Sequence, residues 1–485
     1  MGTKRLTILH ANDLHGDFFA ESDPQGRHVG GLGLLSAYLN KVRREEENVL
    51  FLIAGDIMQG NLIDSEYKGI STMAIINYLS PDAIALGNHE FDYGLSHLLF
   101  LEKVANFPIV NANLYIKPYS KRLMRPFVVL QKGGMDIMIT GIITEKVMDS
   151  IRGDNLLSSF VTLEEASQEV GRITNAYKGE DIDLTILLTH IGIDSDVELA
   201  KLMRKEWGVD LIVGGHSHTT IEKPVIENGV IIVTAGEGTD QVGRLDLTID
   251  DDTNAVVEYK WRLDRIDDAS LRPDEDLERF IRSYQQMVDD KYATMITRLT
   301  TRHTHPRREQ ETSLGNLFAD ALAEMSESDV MLLASGSIRS KELGPIVTLR
   351  DVATCFPYGE PLFKYTVTGE LLRRMFARFM RKDNRNGEGE CYQVNGRVRA
   401  SYDDAKAELT SLKMDGQEVL DEQRFSVCLQ AYHAKNSKAY LGVAQEELHA
   451  IKAKVVSTSA KEVLEEWLRN NQNCGREVEG RLRYL

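Results

Sequence analysis

The chain has 485 residues, enough for two or three domains with substantial buried cores. Its hydrophobic content of 42% and charged content of 27% are ordinary for a globular protein and exclude a disordered or collagen-like chain. The 57 Lys and Arg residues and 74 Asp and Glu residues give a net charge of −17, which would repel a phosphate backbone, so we expect no nucleic-acid partner.

The first half of the sequence repeats one pattern, in which a short apolar run ends in polar side chains. The instances are residues 6–9 before 12–16, 49–53 before 55–56, 83–86 before 87–90, 184–188 before 189–190, and 211–213 before 214–218. The runs predict buried strands, and stretches between them, such as 34–46 and 163–176, predict helices. Ligands gather at the carboxyl ends of strands in α/β sheets, so these endings predict one shared site in a layered α/β domain.

The sequence changes character after Arg262. Five apolar residues mark one face of a helix over residues 273–298: Leu277, Phe280, Ile281, Tyr284 and Val288. Beyond it, an α+β pattern is predicted, with helices over 312–325 and 370–380 and strands over 330–334 and 363–367. We therefore predict a first domain over residues 1–270, a connecting helix over 271–299 and a second domain over 300–485.

The cysteines and the apolar runs of the sequence indicate which cellular compartment to expect. Four cysteines occur, all in the last third of the chain and none at CxxC spacing, so neither a zinc knuckle nor a disulfide framework is predicted. The apolar run of residues 6–9 is too short for a secretory signal, and no run of about 20 apolar residues is present. We expect a cytoplasmic protein without a membrane partner.

The polar residues that follow the predicted strands are candidate metal ligands and catalytic groups. They are Asp13, His15, Asp56, Asn88, His89, Asp92, His190, His216 and His218. Five of the 12 histidines of the chain fall at these strand ends beside carboxylates, which is improbable by chance. A set of carboxylate, amide and imidazole groups without thiolate suits cations of the Mn, Zn or Fe type.

In this order the residues resemble the calcineurin-like metallophosphoesterases, whose motifs run D-x-H, G-D, G-N-H-E/D, H and G-H-x-H. The stretches ILHANDLHG (8–16) and GNHEFD (87–92) are similar to the longer signatures of the 5′-nucleotidase branch. Looser similarity continues through LGNL (314–317) and GSIR (336–339). The resemblance implies a layered α-β-β-α metallophosphoesterase domain followed by a smaller α+β substrate-binding domain.

The resemblance also implies a dinuclear metal site in which Asp56 bridges two cations. The implied ligands are Asp13, His15 and His218 for one cation and Asn88, His190 and His216 for the other. Two such ions about 4 Å apart can hold both sides of a phosphoryl transfer, with a metal-bound hydroxide as the attacking group. His89 would face the substrate phosphate, and Asp92 would fix its tautomer and keep it cationic.

In the second domain, the resemblance implies an adenine-type base stacked between two aromatic side chains, with arginines on the phosphate and ribose side. The matching residues are Arg308, Arg339, Tyr358 and Tyr432. Ala334 stands where the family has an amide, and Lys438 where it has a ribose-binding carboxylate. This exchange of acid for base predicts that Lys438 binds a second anionic group of the substrate.

Three functions are compatible with these residues. The first is a metal-dependent, 5′-nucleotidase-like phosphohydrolase that releases phosphate from nucleotides or related phosphate esters, which are the expected small-molecule partners. The second is a nucleotide phosphodiesterase or nucleotide-sugar pyrophosphatase with the same metal site. The third is a binding protein that keeps the metals without turnover, and the intact His89 and Asp92 argue against it.

Overall fold

Apolar runs throughout the chain form the predicted strands. The computed structural model describes residues 2–116, 121–144, 157–158, 162–177, 179–385 and 390–485. The chain divides into two compact units, Met1–Val288 and Asp289–Leu485. The predicted class, a layered α/β domain followed by an α+β domain, is confirmed. No helix within the described ranges has the length and apolar character needed to cross a membrane.

The first unit is built on two six-stranded sheets. Its strands are β1 (Thr3–Ala11), β2 (Glu21–Ser22), β3 (His28–Val29), β4 (Val49–Ile53), β5 (Ala83–Ala85), β6 (Ile109–Val110), β7 (Tyr115–Ile116), β8 (Lys121–Arg122), β9 (Phe127–Lys132), β10 (Met135–Ile143), β11 (Leu157–Ser158), β12 (Leu184–His190), β13 (Leu211–Gly214), β14 (Val225–Glu227), β15 (Val230–Val233), β16 (Gln241–Asp250) and β17 (Val256–Arg265). The strand orders are β17-β16-β1-β4-β5-β6 and β14-β15-β13-β12-β10-β9. The central strands β1, β4 and β5 of one sheet and β10, β12 and β13 of the other run parallel to one another within each set.

Helices cover the sheets of this unit. They are α1 (Leu32–Glu45), α2 (Leu62–Glu66), α3 (Ile70–Leu79), α4 (Leu95–Val104), α5 (Leu163–Ala176), α6 (Ile193–Leu202) and α7 (Glu275–Tyr292). The predicted helix over 163–176 matches α5, and the one over 34–46 matches α1 within two residues.

The core of the first unit lies between its two sheets. Ile8 and Leu52 of the first sheet pack in one cluster with Ile137 and Ile186 of the second. The alternate side chains of the second sheet, such as Leu187, face the other way and pack with residues of α5 and α6. Strands β4 and β12 are buried along their whole length because both of their faces are covered, which explains their continuous apolar runs.

The second unit has a five-stranded and a four-stranded sheet. Its strands are β18 (Met295–Arg298), β19 (His303–Thr304), β20 (Val330–Ala334), β21 (Glu342–Leu343), β22 (Ile346–Thr348), β23 (Leu362–Thr368), β24 (Tyr392–Val394), β25 (Val398–Asp403), β26 (Glu408–Met414), β27 (Gln417–Glu418), β28 (Arg424–Gln430), β29 (Lys454–Ser457) and β30 (Leu482–Tyr484). Its helices are α8 (Ser313–Met325), α9 (Leu349–Cys355), α10 (Gly369–Phe379), α11 (Lys382–Arg385), α12 (Ala431–Lys435), α13 (Ser437–Leu441), α14 (Gln445–Ala450) and α15 (Ala460–Asn470). The sheet orders are β24-β20-β28-β23-β29 and β27-β26-β25-β30.

The predicted connecting helix is shorter than expected. Helix α7 ends at Tyr292, and residues 295–298 form β18, which pairs with β22. The apolar face of the helix stops at Val288 and Tyr292, and the β-branched residues Thr294, Ile296 and Thr297 favour an extended chain once a partner strand is available. The two units divide at residues 288 and 289, within α7. The boundaries at 270 and 300 stay predictions.

His10 of β1 is a buried imidazole that stays neutral in the folded protein. Its ring stacks on Trp261 with the centroids 5.4 Å apart, and within the described residues neither ring nitrogen has a hydrogen-bond partner. Burial lowers the pKa of His10 to about 3. Since the unfolded chain binds a proton near pH 6.5 and the folded chain does not, His10 makes the protein less stable as the pH falls below about 6.5.

We predict that His10→Phe weakens this pH dependence. Phenylalanine keeps the stacking on Trp261 and cannot be protonated. Between pH 7 and pH 5 the free energy of unfolding of the wild type should fall by about 2 kcal/mol more than that of the variant, at about 1.36 kcal/mol per pH unit below the pKa of a free histidine. Urea unfolding followed by tryptophan fluorescence at both pH values measures the difference. Parallel pH profiles for the two proteins would contradict this assignment.

Candidate functional site

The candidate metal ligands of the first unit lie on loops that follow β1, β4, β5, β12 and β13. The strands β1, β4 and β5 are parallel neighbours, so the loops after them emerge at one edge of their sheet. Strands β12 and β13 of the second sheet are also parallel neighbours, so the loops after them emerge at one edge of that sheet. The structure therefore brings together residues that are up to 205 positions apart, from Asp13 to His218.

The backbone of these loops is strained. Five candidate ligands have left-handed backbone conformations with positive φ: Asp13 (52°), His15 (46°), Asp56 (53°), His216 (83°) and His218 (50°). Such conformations are uncommon outside glycine and cost of order 1–3 kcal/mol each. Backbone strain of this kind clusters at functional sites, where it aims a side chain that a relaxed loop would direct elsewhere.

One group of possible metal ligands consists of Asp13, His15 and His218. Their donor atoms all lie within 4.8 Å of one another. Nε2 of His15 is 3.2 Å from Nε2 of His218, which in turn is 3.5 Å from Oδ1 of Asp13. Asp13 is fully buried and both of its carboxylate oxygens accept the backbone N–H of His216. The group can therefore offer one carboxylate and two imidazoles to a single cation.

A second group consists of Asp56, His190 and His216, whose donor atoms again lie within 4.8 Å of one another. Nδ1 of His190 is 2.8 Å from the carbonyl oxygen of Ala54, which can only accept, so Nδ1 carries the proton and Nε2 is the nitrogen available to a metal. Nε2 of His190 lies 3.1 Å from Oδ2 of Asp56. Burial raises the pKa of Asp56, but the adjacent His190 outweighs it and holds that pKa below its usual value.

Asp56 belongs to two overlapping groups, because its carboxylate also lies within 4.8 Å of the donor atoms of His15 and His89. It is the shared member expected of a bridging ligand. Asn88 lies at the start of the turn that carries His89, and its Oδ1 is buried without a hydrogen-bond partner among the described residues. Nε2 of His190 is also buried, 3.1 Å from Oδ2 of Asp56 and 3.8 Å from Oδ1 of Asp13. A buried amide oxygen without a partner, beside carboxylate and imidazole ligands, fits a divalent cation.

His89 and Asp92 form a pair on one short helical turn. Nδ1 of His89 is 2.8 Å from Oδ2 of Asp92, as the three-residue spacing on a 3₁₀ turn allows. This hydrogen bond raises the pKa of His89, against the opposing effect of burial and with a further contribution from the charge of Asp56. The ring of His89 is 5.3 Å from that of His15. An imidazole with a raised pKa therefore stands beside both groups of ligands.

Two acidic residues of this region were not predicted as site residues. Oε2 of Glu237 lies 2.5 Å from Nδ1 of His218, close enough to orient this imidazole. It comes from a loop without a recognisable motif, so only the fold reveals it. Glu90 is buried inside the predicted motif, where its carboxylate accepts three backbone N–H groups. Burial and the charge of Asp56 raise the pKa of Glu90 to about 7.

The second unit contains a cavity of about 570 Å³. All four residues predicted to bind substrate line it: Arg308, Arg339, Tyr358 and Tyr432. Tyr358 and Tyr432 are exposed, at 42% and 53% of their surface, which is unusual for tyrosines that serve only in packing. Their rings are therefore available to a flat ligand.

Polar contacts hold the walls of this cavity in place. Arg308 donates to Glu390 at 3.1 Å, and Glu390 accepts the backbone N–H of Gly336 with its other oxygen. A Cβ at Gly336 would lie 2.2 Å from Nη2 of Arg308, so a larger residue here would displace this guanidinium. Glu360, also in the wall, accepts the backbone N–H of Tyr432 at 2.5 Å.

The structure does not place Lys438 in the wall of this cavity, and its binding of a second anionic group stays a prediction. Lys438 is exposed on α13 and is not among the described residues that line the cavity. Tyr440, two positions later, lines it instead, and its hydroxyl is 3.3 Å from that of Tyr432. Side chains two positions apart on a short helix point in different directions, so Lys438 and Tyr440 do not face the same surface. Ala334 is fully buried at the end of β20.

Comparisons with known proteins agree with both units. The family model described as "Calcineurin-like phosphoesterase" matches residues 6–220, and the one described as "5'-nucleotidase, C-terminal domain" matches residues 291–444. A 5′-nucleotidase of Vibrio parahaemolyticus is 30% identical over 420 residues, which are 76% of this chain and 73% of the relative. A 5′-nucleotidase of Mus musculus is 29% identical, and the match covers 82% of this chain and 75% of the relative.

A solved structure supports the fold. The 5′-nucleotidase precursor from Thermus thermophilus aligns over 99% of both chains with a TM-score of 0.60 and 23% identity. At this identity the likeness concerns the fold alone, whereas the sequence relatives and the matched models of both halves also establish descent. The chain therefore belongs to the 5′-nucleotidase family of calcineurin-like phosphoesterases.

Proposed function

We propose that this protein is a phosphohydrolase that uses two divalent cations of the Mn, Zn or Fe type to release phosphate from nucleotides or related phosphate esters. The observation that carries the proposal is the buried carboxylate of Asp56, shared between overlapping groups of metal ligands with the His89–Asp92 pair beside them. Membership of the 5′-nucleotidase family supports the same reaction class. When bound, such cations act as Lewis acids on the phosphate and lower the pKa of a coordinated water.

The side chains of the site have separate roles in this reaction. The residues that would hold the cations are Asp13, His15, Asp56, Asn88, His190, His216 and His218, and the two carboxylates would offset part of the positive charge. Nδ1 of His89 donates a hydrogen bond to Asp92. Nε2 of His89 is therefore the nitrogen that can donate a hydrogen bond or a proton to the leaving oxygen of the ester. Because Asp92 raises the pKa of His89, the imidazole is in its protonated form over a wider pH range than a free histidine.

The cavity of the second unit supports a nucleotide as substrate. Tyr358 and Tyr432 offer aromatic faces for a base, and Arg308 and Arg339 offer donors for phosphate or ribose oxygens. Arg308 is held by Glu390, so its guanidinium is already oriented before a ligand arrives. A nucleoside monophosphate matches this combination of a flat ring and an anion.

A substrate panel tests the proposal directly. The protein is stripped with a chelator, reloaded with Mn²⁺, and assayed with AMP, a phosphodiester and a nucleotide sugar for release of phosphate and of nucleoside. Phosphate and adenosine from AMP, only with metal, are expected. Cleavage of the diester or the nucleotide sugar alone would identify a phosphodiesterase or pyrophosphatase, and metal binding without any turnover would identify a binding protein.

The cytoplasmic location stays a prediction. All four cysteines are free, and Cys355, Cys391 and Cys428 are buried. Burial raises the pKa of Cys355 and of Cys428 to about 11, so these thiols stay protonated and unreactive.

We predict that Asp56→Asn is the most damaging substitution among the metal ligands. An amide cannot offset the charge of two cations, so kcat/KM for AMP should fall by about 100-fold or more and the metal content should fall below that of the wild type. Metal analysis of the purified protein together with steady-state kinetics measures both effects. Asn88→Ala serves as the comparison, because Asn88 offers one neutral oxygen to one cation. A larger loss for Asn88→Ala, with metal content unchanged in Asp56→Asn, would contradict a bridging role.

We predict that His89→Asn lowers kcat about 100-fold while metal content stays at the wild-type level, because His89 acts on the substrate and not on the metals. Asp92→Asn should act through His89, so the double variant should be little worse than the more damaged single variant. Kinetics of the three variants and metal analysis provide the measurement. Additive losses in the double variant would show that the two residues act independently, and loss of a metal from His89→Asn would make His89 a ligand.

We predict that Tyr432→Ala weakens recognition of the base. Stacking of a base on an aromatic ring contributes about 1–3 kcal/mol, so kcat/KM for AMP should fall about tenfold relative to kcat/KM for ribose 5-phosphate, which lacks a base. Lys438→Ala is the matched control on the neighbouring helix and should leave the ratio of the two substrates unchanged. An unchanged ratio in Tyr432→Ala would exclude this ring from base binding.

A further inference from the structure

Glu90 is a buried acid at the junction of two ligand loops. It is 2% exposed and lies two positions after Asn88 and one after His89. Its Oε1 accepts the backbone N–H of Ile57 at 2.9 Å, and its Oε2 accepts those of Asp56 at 3.0 Å and Gly87 at 2.6 Å. One carboxylate therefore joins the loop after β4 to the loop after β5.

The contact falls at a strained point of the backbone. Asp56 has a φ of 53°, in the left-handed region, and Glu90 receives the N–H groups of this residue and of the next. Successive N–H groups around a left-handed residue form a concavity that binds anions. Glu90 is the anion in this concavity, and its two hydrogen bonds stabilise a conformation that costs of order 1–3 kcal/mol by itself.

The two loops also approach each other too closely for side chains. A Cβ on Gly87 would lie 2.1 Å from Oδ1 of Asp56, and a Cβ on Gly55 would lie 2.7 Å from the backbone nitrogen of Gly87. In the opposite direction, Oδ1 of Asp56 accepts the backbone N–H of His89 at 2.9 Å. Each loop thus holds the other by a carboxylate, and the side chains of Asp56, Asn88 and His89 have fixed relative positions.

We propose that Glu90 is a positioning residue for the metal centre: its carboxylate holds Asp56 in the orientation in which one oxygen pair can serve two cations. The proposal deepens the proposed function, on which it rests for the identity of the ligands. Glu90 itself makes no contact with substrate in this role.

A carboxylate is needed here because all three partners are donors. Glutamine has the same shape but only one acceptor oxygen, and its NH₂ group would face at least one of the N–H groups of Asp56, Ile57 and Gly87. Glu90→Gln therefore loses at least one of three hydrogen bonds and brings two donors together. The loop after β4 is then free to relax from the left-handed conformation at Asp56.

The test compares Mn²⁺ binding by the full-length wild type and Glu90→Gln. The electron paramagnetic resonance spectrum of the wild type loaded with two equivalents of Mn²⁺ should contain the signal of a spin-coupled pair. In Glu90→Gln the coupled signal should be lost or weakened, and the affinity for Mn²⁺ measured by titration should fall at least about tenfold, as for other outer residues that orient metal ligands. The value of kcat for AMP should fall, with recovery at high Mn²⁺, while KM changes little.

Asp183→Asn is the matched control. Asp183 is 4% exposed in the same unit and accepts the backbone N–H of Asp136 at 2.8 Å and the ammonium group of Lys4 at 2.8 Å. It lies just before the start of β12, seven residues and about 23 Å of strand from His190. Both variants should lower the melting temperature, but Asp183→Asn should bind Mn²⁺ as the wild type does. If Glu90→Gln does not fold, Glu90→Asp, which keeps the charge but shortens the side chain, takes its place with the same expectation.

The outcomes separate this inference from the proposed function. A coupled Mn²⁺ pair and unchanged affinity in the Glu90 variant would overturn the positioning role and leave the proposed function intact. If Asp183→Asn loses as much Mn²⁺ affinity as the Glu90 variant, then Glu90 contributes only to the general stability of the protein. That result would overturn the inference as well. If the wild type binds no Mn²⁺ pair, both the proposed function and this role of Glu90 are wrong.

Discussion

The balance of charge around Asp56 is the constraint on which the rest of the metal site depends. Asp13, Asp56 and Glu90 are all at most 2% exposed, and each buried carboxylate costs several kcal/mol unless its charge is compensated. His190 lies 3.1 Å from Asp56 and 3.8 Å from Asp13, so this single imidazole faces two of the three carboxylates. The folded state is therefore arranged to gain stability from divalent cations, since a ligand that binds only the folded state stabilises it.

The backbone of the ligand loops also depends on these buried carboxylates. Left-handed conformations at Asp13, Asp56 and His216 aim the ligands inward, and each is held by hydrogen bonds that involve another loop of the site. Asp13 accepts the N–H of His216, Asp56 accepts that of His89, and Glu90 accepts that of Asp56. The carboxylates thus serve both as candidate metal ligands and as acceptors for the backbone of neighbouring loops. Substituting one of them is expected to disturb a second loop as well as its own.

The two units supply different chemistry for one substrate class. The first unit has buried oxygen and nitrogen donors at the ends of parallel strands, which suit cations and an anionic ester. The second unit has exposed tyrosines and arginines around a cavity, which suit a base and its sugar phosphate. Family motifs in the sequence named four residues that line this cavity, whereas Lys438, also expected at the substrate, is not among the described residues that line it.

The sequence by itself determined the fold class, the five strands that end at the candidate metal ligands and the polar residues that follow them, because apolar periodicity and short polar motifs are local properties. It missed the strand β18 at the end of the predicted connecting helix, since pairing with β22 decides the conformation of residues 295–298. Only the tertiary structure decided that Glu90 joins two loops and that Glu237 orients His218. Glu90 joins loops that follow two neighbouring strands of one sheet, and Glu237 and His218 lie on separate loops. The distances between these loops depend on how strands pair and pack in the folded chain, and no spacing along the sequence encodes them.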